Sequence, residues 1–322
     1  MRVDGVTPPV ALPGGIIQLK ISGIDGPEQL TCAIGGMPAQ IISASAKRAL
    51  VRVPSCQGEG LQLRRGDDEA AAELTIGHLL ADDLHPVSNP VVDSSGHVLV
   101  TFSGARGEEV PYAIFRVSPS GDKEPFLGDI VNATGLAIGP DNRLYVSSRH
   151  TGTVYRSTFD KQLEKFAEGL GLATGLAFDS AGRLFVGDRS GTIYVLDKQG
   201  QSSPFCELEA SVAAYHLAIN ADDELFVTVL TLATQDSVYV VSSAGQVETF
   251  YRGFGRPQGI FFHPDGSLMV AACWRGQKGL FALRDGQPEL SVAAPTLVGG
   301  AWDRENSLLY LADGEGLYQI PV

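Results

Sequence analysis

The sequence predicts an all-β protein, a small Ig-like β-sandwich over residues 1–76 followed by a closed ring of six four-stranded sheets over residues 77–322. Three observations predict it. The phrase Ala133-Thr134-Gly135-Leu136-Ala137-Ile138 returns as Ala173-Thr174-Gly175-Leu176-Ala177-Phe178, and each copy passes through a polar turn into a second apolar run, Leu144-Tyr145-Val146 and then Leu184-Phe185-Val186. Equivalent positions recur at Ser88, Thr134, Thr174, Tyr215, Gln258 and Val298, spaced by 46, 40, 41, 43 and 40 residues. The chain ahead of residue 77 lacks the phrase and carries Pro and Gly turns between short alternating strands. Self-similarity at a fixed period of tens of residues marks a solenoid or a propeller before anything else.

The front segment supplies the first elements. Ile16-Ile17-Gln18-Leu19-Lys20-Ile21-Ser22-Gly23, Thr31-Cys32-Ala33-Ile34-Gly35-Gly36-Met37-Pro38-Ala39 and Ala49-Leu50-Val51-Arg52-Val53-Pro54 alternate apolar and polar residues between Gly and Pro turns, the pattern of a half-buried sandwich. Each later copy then opens with an inner apolar strand, turns at a motif such as Asp93-Ser94-Ser95-Gly96 or His263-Pro264-Asp265-Gly266, and continues into a second strand such as Leu225-Phe226-Val227. A third, alternating strand follows, for example Thr192-Ile193-Tyr194-Val195. An outer strand is marked eight residues before most reference positions by Phe126, Phe166, Phe250 and Leu290, and ten before Tyr215 by Phe205. Four strands in about 40 to 45 residues is a β-propeller blade. The sixth copy ends without an outer strand, which would leave a ladder of unpaired backbone groups. Leu80 sits at the same eight-residue offset before Ser88, so residues 77–81 are expected to provide the missing strand and close the ring.

Two resemblances follow from these residues. The front segment resembles the IPT/TIG family of immunoglobulin-like domains through its Pro-Gly-Gly before a strand ending in Ser-Gly, its Ile-Gly-Gly-x-Pro-Ala turn and its Val-Pro before a Gly-rich hairpin; this implies a fold and no chemistry. The remaining 245 or so residues resemble the NHL-repeat and gluconolactonase/regucalcin-like group of six-bladed propellers, carried by Gly-Leu-Ala-Phe-Asp-x-x-Gly-Arg-Leu-Phe-Val-x-Asp at residues 175–188. That scaffold hosts lactonases, lyases, hydrolases and pure binding modules, so it fixes no activity.

Composition narrows the classes. The chain has 322 residues, a formal net charge of -13 and 44% hydrophobic residues. Such an acidic chain disfavours nonspecific nucleic-acid or anionic-membrane partners. It contains no apolar run of spanning length, and Met1-Arg2-Val3-Asp4-Gly5 lacks the core of a signal peptide, so the sequence as given reads as cytoplasmic; a trimmed signal would look the same. Cys32, Cys56, Cys206 and Cys273 lack metal-type spacing and read as free thiols, with Cys32 and Cys56 the one pair placed for a disulfide. Asn132-Ala133-Thr134 fits a glycosylation sequon, but Thr134 is a repeat position and the match is read as accidental.

In a propeller the inner strands begin on the face where the second strands end, so both sets of residues converge on one mouth of the channel. The inner ring contributes Ser88-Asn89, Thr134-Gly135, Thr174-Gly175, Tyr215-His216, Gln258-Gly259 and Val298-Gly299; glycine recurs where backbones crowd, and Asn89 and His216 replace it with polar groups. The second-strand ends contribute Arg106, Ser148-Arg149-His150, Asp188-Arg189, Cys273-Trp274-Arg275 and Asp313. Arg149 and Arg189 are equivalent by alignment. Several guanidiniums at one mouth suit a carboxylate or phosphate, and Trp274 suits a sugar or aromatic wall. The candidate catalytic residues are His216, Arg149 and Arg189, and the candidate ligand contacts are Asn89, Tyr215, Gln258, Trp274, Arg275 and Asp188. Each has a purely structural alternative: His216 as a core histidine, Asp188 and Asp313 as loop braces, Arg149 and Arg189 as partners of Glu108, Glu109 or Glu315. His97, His150 and His263 fall in turns and are expected to face solvent.

The lactonase resemblance implies a divalent cation held by a Glu, an Asn and an Asp at the mouth. Here the corresponding positions read Ser88-Asn89-Pro90, Thr134-Gly135, Thr174-Gly175, Tyr215-His216 and Gln258-Gly259, with no carboxylate, and a hard cation needs several oxygen ligands including carboxylates. No cofactor is therefore expected, and a divalent metal stays open only as an atypical site without the carboxylate ligands the resemblance implies. Two functions remain open: a binding module for a small anionic or sugar-like ligand or a peptide loop, which the lost metal ligands favour, and a gluconolactonase-like hydrolase or lyase with His216 as base and arginines at an oxyanion. A deep pocket joining His216 to two arginines would favour catalysis.

Overall fold

The computed structural model describes residues 1–56 and 58–321, and no helix occurs among them. Every regular element is a strand.

The front segment is one continuous ladder of strands. Its strands form one seven-stranded sheet in the order Arg2–Thr7, Ile16–Ser22, Arg48–Arg52, Met37–Ala44, Leu30–Ile34, Leu61–Arg65, Asp68–Ala72. The reason lies in Met37–Ala44, which pairs through residues 37–39 with Leu30–Ile34 and through residues 40–44 with Arg48–Arg52, its register slipping between Ile41 and Ser43. Such an irregularity bends a strand and lets it turn a corner. The ladder curls until its two edge strands approach each other. Alternation in Ile16–Ser22 sends Ile17, Leu19 and Ile21 inward, against Ile34, Val51, Leu61 and Leu63.

Six further sheets follow, five of four strands and one of six. Their inner strands are Val91–Val92, Ala133–Ile138, Ala173–Phe178, His216–Ile219, Ile260–Phe262 and Gly299–Asp303. Each neighbours the next, and the last neighbours the first, in a propeller-like arrangement about a channel that all of them line. Glycine is required at this axis. A Cβ on Gly135 would lie 2.1 Å from the Thr174 carbonyl oxygen, and one on Gly259 would lie 2.2 Å from Asn89 Oδ1.

Side chains stitch one sheet to the next. The Ser147 hydroxyl donates to the Thr174 carbonyl and accepts from Gly135 N–H at 2.8 Å, Thr174 Oγ1 accepts from Tyr215 N–H at 3.1 Å, and Thr228 Oγ1 donates to the Gln258 carbonyl at 2.6 Å. Aromatic triads fill the gaps further out. Tyr145 meets Phe166 of its own sheet and Phe178 of the next, with ring centroids 5.1 and 4.9 Å apart, and Phe226 repeats this with Phe250 and Phe262. Edge-to-face contacts of this kind add about 0.5–1.5 kcal/mol each beyond burial.

The front segment is welded to the ring at two places. His78–Ala81 pairs antiparallel with Leu317–Pro321 and supplies the outer strand of the final sheet. Val10–Ala11 and Thr75–Ile76 add in parallel beyond Gln287–Ala293 and turn the fifth sheet into the six-stranded one. One apolar core runs through this junction, from Leu19 and Val51 to Phe254, Val270 and Phe281. All four cysteines are free.

Candidate functional site

Three successive sheets place an arginine on the same face. Arg149 and Arg189 follow the second strands Leu144–Ser148 and Leu184–Asp188 directly. Their backbones are held by the same bond: Arg149 N–H donates to the Asn132 carbonyl and Arg189 N–H to the Leu172 carbonyl, both at 3.3 Å. Arg106 comes from the loop after Val98–Thr101. Together with Asn132, His150 and Leu172 these arginines line a cavity of about 430 Å³.

Asn132 organises the pocket. It is 1% exposed and sits at φ 49°, a left-handed conformation asparagine tolerates better than most side chains. Its amide donates to the carbonyls of Gly104 at 3.0 Å and Ala105 at 2.9 Å, and its Oδ1 accepts from Gly107 N–H at 2.7 Å. All three bonds clamp the loop that carries Arg106. Sequence reading passed over this residue as an accidental sequon; the available signal was a lone polar amide two residues before Thr134, where the next copy has Leu172.

Five arginines elsewhere on the ring are ion-paired. Arg116 pairs with Asp93 at 2.7 Å, Arg143 with Glu164 at 3.0 Å, Arg156 with Glu164 at 2.7 Å, Arg183 with Asp179 at 2.6 Å and Arg284 with Asp265 at 3.2 Å. Among the described residues, Arg106, Arg149 and Arg189 have no carboxylate within the 4.0 Å of an ion pair. The pairing with Glu108, Glu109 or Glu315 that the sequence allowed does not form. Glu108 instead turns back to accept from Ala105 N–H at 2.6 Å. Burial first, and then the guanidiniums of Arg189 and Arg106, hold Arg149 below the ordinary arginine range. Arginine stays charged even so, leaving three cations facing one space. Arg189 is oriented by carbonyls, Nε donating to Ser211 at 3.4 Å and Nη2 to Val212 at 2.8 Å, while Arg149 reaches only Ser103 Oγ at 3.4 Å.

The other predicted residues lie elsewhere. Asp188 is a brace: its carboxylate accepts from Leu172 N–H at 2.8 Å, from Ser190 N–H at 3.1 Å and from the Ser190 hydroxyl. Asp313 likewise holds its own turn through the N–H groups of Glu315 and Gly316. Asn89 crosses the axis, donating to the Ile260 carbonyl at 2.8 Å and accepting from Gly300 N–H at 3.2 Å, so both ends of its amide are engaged. Tyr215 is fully buried with its hydroxyl on the Glu209 carbonyl. His216 is 2% exposed, its Nδ1 has no partner among the described residues, and burial pushes its imidazole down to about 4, so it is neutral at pH 7. It does not line the arginine cavity.

Trp274 and Arg275 are displaced for a specific reason. The strand Leu268–Trp274 runs on past the position where its counterparts end, and Trp274 pairs with Gln277 across Arg275 and Gly276. Both of those have positive φ, 49° and 80°, the signature of a tight hairpin turn. Arg275 therefore stacks on Trp274, 4.4 Å from its ring centroid, away from the other arginines. Gln258 lines a separate cavity of about 500 Å³ with Arg256, Lys278 and Cys273. Among the described residues no three or more His, Cys, Asp or Glu side chains are grouped to hold a metal ion.

No family model matches the chain, and no curated protein matches it. Solved structures do. A structural genomics protein of unknown function from Bacteroides thetaiotaomicron is 14% identical with a TM-score of 0.62, covering 99% of this chain and 97% of that one. An auxiliary nutrient binding protein from Bacteroides ovatus is 12% identical with a TM-score of 0.58, again covering 99% and 97%. A gluconolactonase from Xanthomonas campestris is 15% identical with a TM-score of 0.58 and covers 76% of this chain and 88% of that one. At these identities the likeness is one of fold, that of a β-propeller.

Proposed function

We propose that this protein is a six-bladed β-propeller, the six-stranded sheet counting as the fifth blade, that binds a small anionic or sugar-like ligand through Arg106, Arg149 and Arg189. The single observation carrying this is the convergence on one cavity of three guanidiniums, none of them within ion-pair distance of a carboxylate. Arg189 is already anchored by two carbonyls, and each charge-assisted hydrogen bond to an anion contributes about 1.5–3 kcal/mol. Residues 1–76 form the second domain of this reading, an IPT/TIG-like sandwich whose two faces are joined through the bent strand Met37–Ala44.

The hydrolase reading needs His216 near the ligand. His216 lies outside the arginine cavity, which favours the binding reading. A divalent cation does not fit the ring either, because Ser88, Thr134, Thr174, His216 and Gln258 offer no carboxylate and the Asn89 amide is already engaged at both ends. No step is routed through a metal, and neither nucleic acid nor a membrane is a proposed partner.

A thermal-shift screen of gluconate, acetate and methyl phosphate tests this on wild type, Arg149→Gln and His216→Gln. Stabilisation by at least one anion, lost in the arginine variant and kept in the histidine variant, is expected. Loss in the histidine variant alone would return the site to the hydrolase reading.

A further inference from the structure

We infer that the arginine cavity is matched to a dianionic, tetrahedral head group, a phosphate monoester in its chemistry, rather than to a single carboxylate. The inference rests on the anion-binding reading above and specifies its ligand. Three guanidiniums arrive from three consecutive sheets, each on its own loop, and line one cavity. A carboxylate has two oxygens in one plane and saturates one arginine fork, leaving two cations facing each other across the space. A phosphate monoester presents three acceptor oxygens pointing to separate corners and carries close to two charges near neutral pH. Those oxygens match three separate donors.

The donor inventory agrees. Arg106 makes no side-chain hydrogen bond or ion pair among the described residues, and Arg149 has only the long 3.4 Å contact to Ser103. Arg189 is anchored by two carbonyls and keeps further N–H groups free, since a guanidinium has five. Two acids on the same loops are turned to other partners and form no ion pair with them: Glu108 accepts from Ala105 N–H, and Asp188 from Leu172 and Ser190. Leu172, 39% exposed, adds an apolar wall beside the cations. The cavity of about 430 Å³ is larger than a bare ion fills, so it has room for the organic body of an ester.

Titration calorimetry at constant ionic strength decides it, with methyl phosphate and its monoanionic counterpart methanesulfonate as probes between about pH 5 and pH 7.5. The second ionisation of a phosphate ester falls near ~6. Methyl phosphate is expected to bind tighter at the upper pH than at the lower, by up to about tenfold, the rise in its dianion fraction, while methanesulfonate stays weak across the range. Protonation of any side chain only adds positive charge to the protein, so a rise with pH can come only from the ligand. In Arg106→Gln, an exposed position, the gap between the two probes should shrink to about twofold. Equal affinity for both probes, flat in pH, overturns the dianion inference and leaves an anion site in place. Binding of neither overturns the anion-binding reading itself.

Discussion

Asn132→Ala should cost both stability and binding, and the two effects have separable origins. The substitution removes the two donations to Gly104 and Ala105 and the acceptance from Gly107, all at a residue 1% exposed. Each bond contributes about 0.5–1.5 kcal/mol net, and groups left buried without a partner add to the loss. Alanine at φ 49° adds roughly 1 kcal/mol of backbone strain. Water entering the vacated space offsets part of this, so about 2–4 kcal/mol is expected in urea unfolding, with the m-value unchanged. Binding falls for a different reason. The loop bearing Arg106 must then be ordered by the ligand, and affinity for methyl phosphate should drop about five- to tenfold. Asn132→Asp keeps the acceptor for Gly107 but sets a negative charge among the guanidiniums, and should weaken binding more than alanine does. A stability change below about 0.5 kcal/mol, or unaltered affinity in both variants, would refute the role assigned to Asn132.

Two further outcomes follow from the ring. His216 is neutral in the fold with its imidazole near 4 against 6.5 in the unfolded chain, so unfolding takes up a proton between those values and stability falls as pH drops from 6.5 towards 4, by up to about 3 kcal/mol; His216→Leu should flatten that slope in urea titrations, and superimposable slopes would contradict it. Gly175→Ala would set a Cβ 2.3 Å from Leu217 Cδ1 and 2.5 Å from the Tyr215 carbonyl oxygen, a backbone atom that cannot yield, and should lower the melting temperature by several degrees through about 1–3 kcal/mol of overpacking; a melting curve that coincides with wild type would show the axis to be looser than described.

The repeat was legible because its periodicity is local. Thr134 and Thr174 head inner strands as the repeated phrase required, and the eight-residue offset led from Phe126 and Phe166 to Leu80, whose neighbours do pair with Leu317–Pro321. The corner in Met37–Ala44 was not legible, since the run read from the sequence ended at Ala39 while the strand continues to Ala44 and its halves pair with different neighbours. Nor was the parallel addition of Val10–Ala11, two residues too short to signal themselves, beyond Gln287–Ala293. At the site, alignment placed Arg149 and Arg189 together, and the loop bearing Arg106 joined them. Alignment also placed Trp274 and Arg275 at the mouth, because it could not register that their strand continues into a hairpin. Which arginines are paired is a tertiary fact: Asp93 and Arg116 meet across 23 positions of chain, and no local pattern marks Arg149 as lacking such a partner.

The central claim is that charge left unneutralised at three positions makes this cavity a site. The most direct measurement compares methyl phosphate affinity in Arg149→Gln with that in Arg183→Gln, whose arginine is paired to Asp179 at 2.6 Å. The account predicts a loss of about tenfold or more in the first and wild-type affinity in the second. Equal losses in both variants, or none in either, would contradict it.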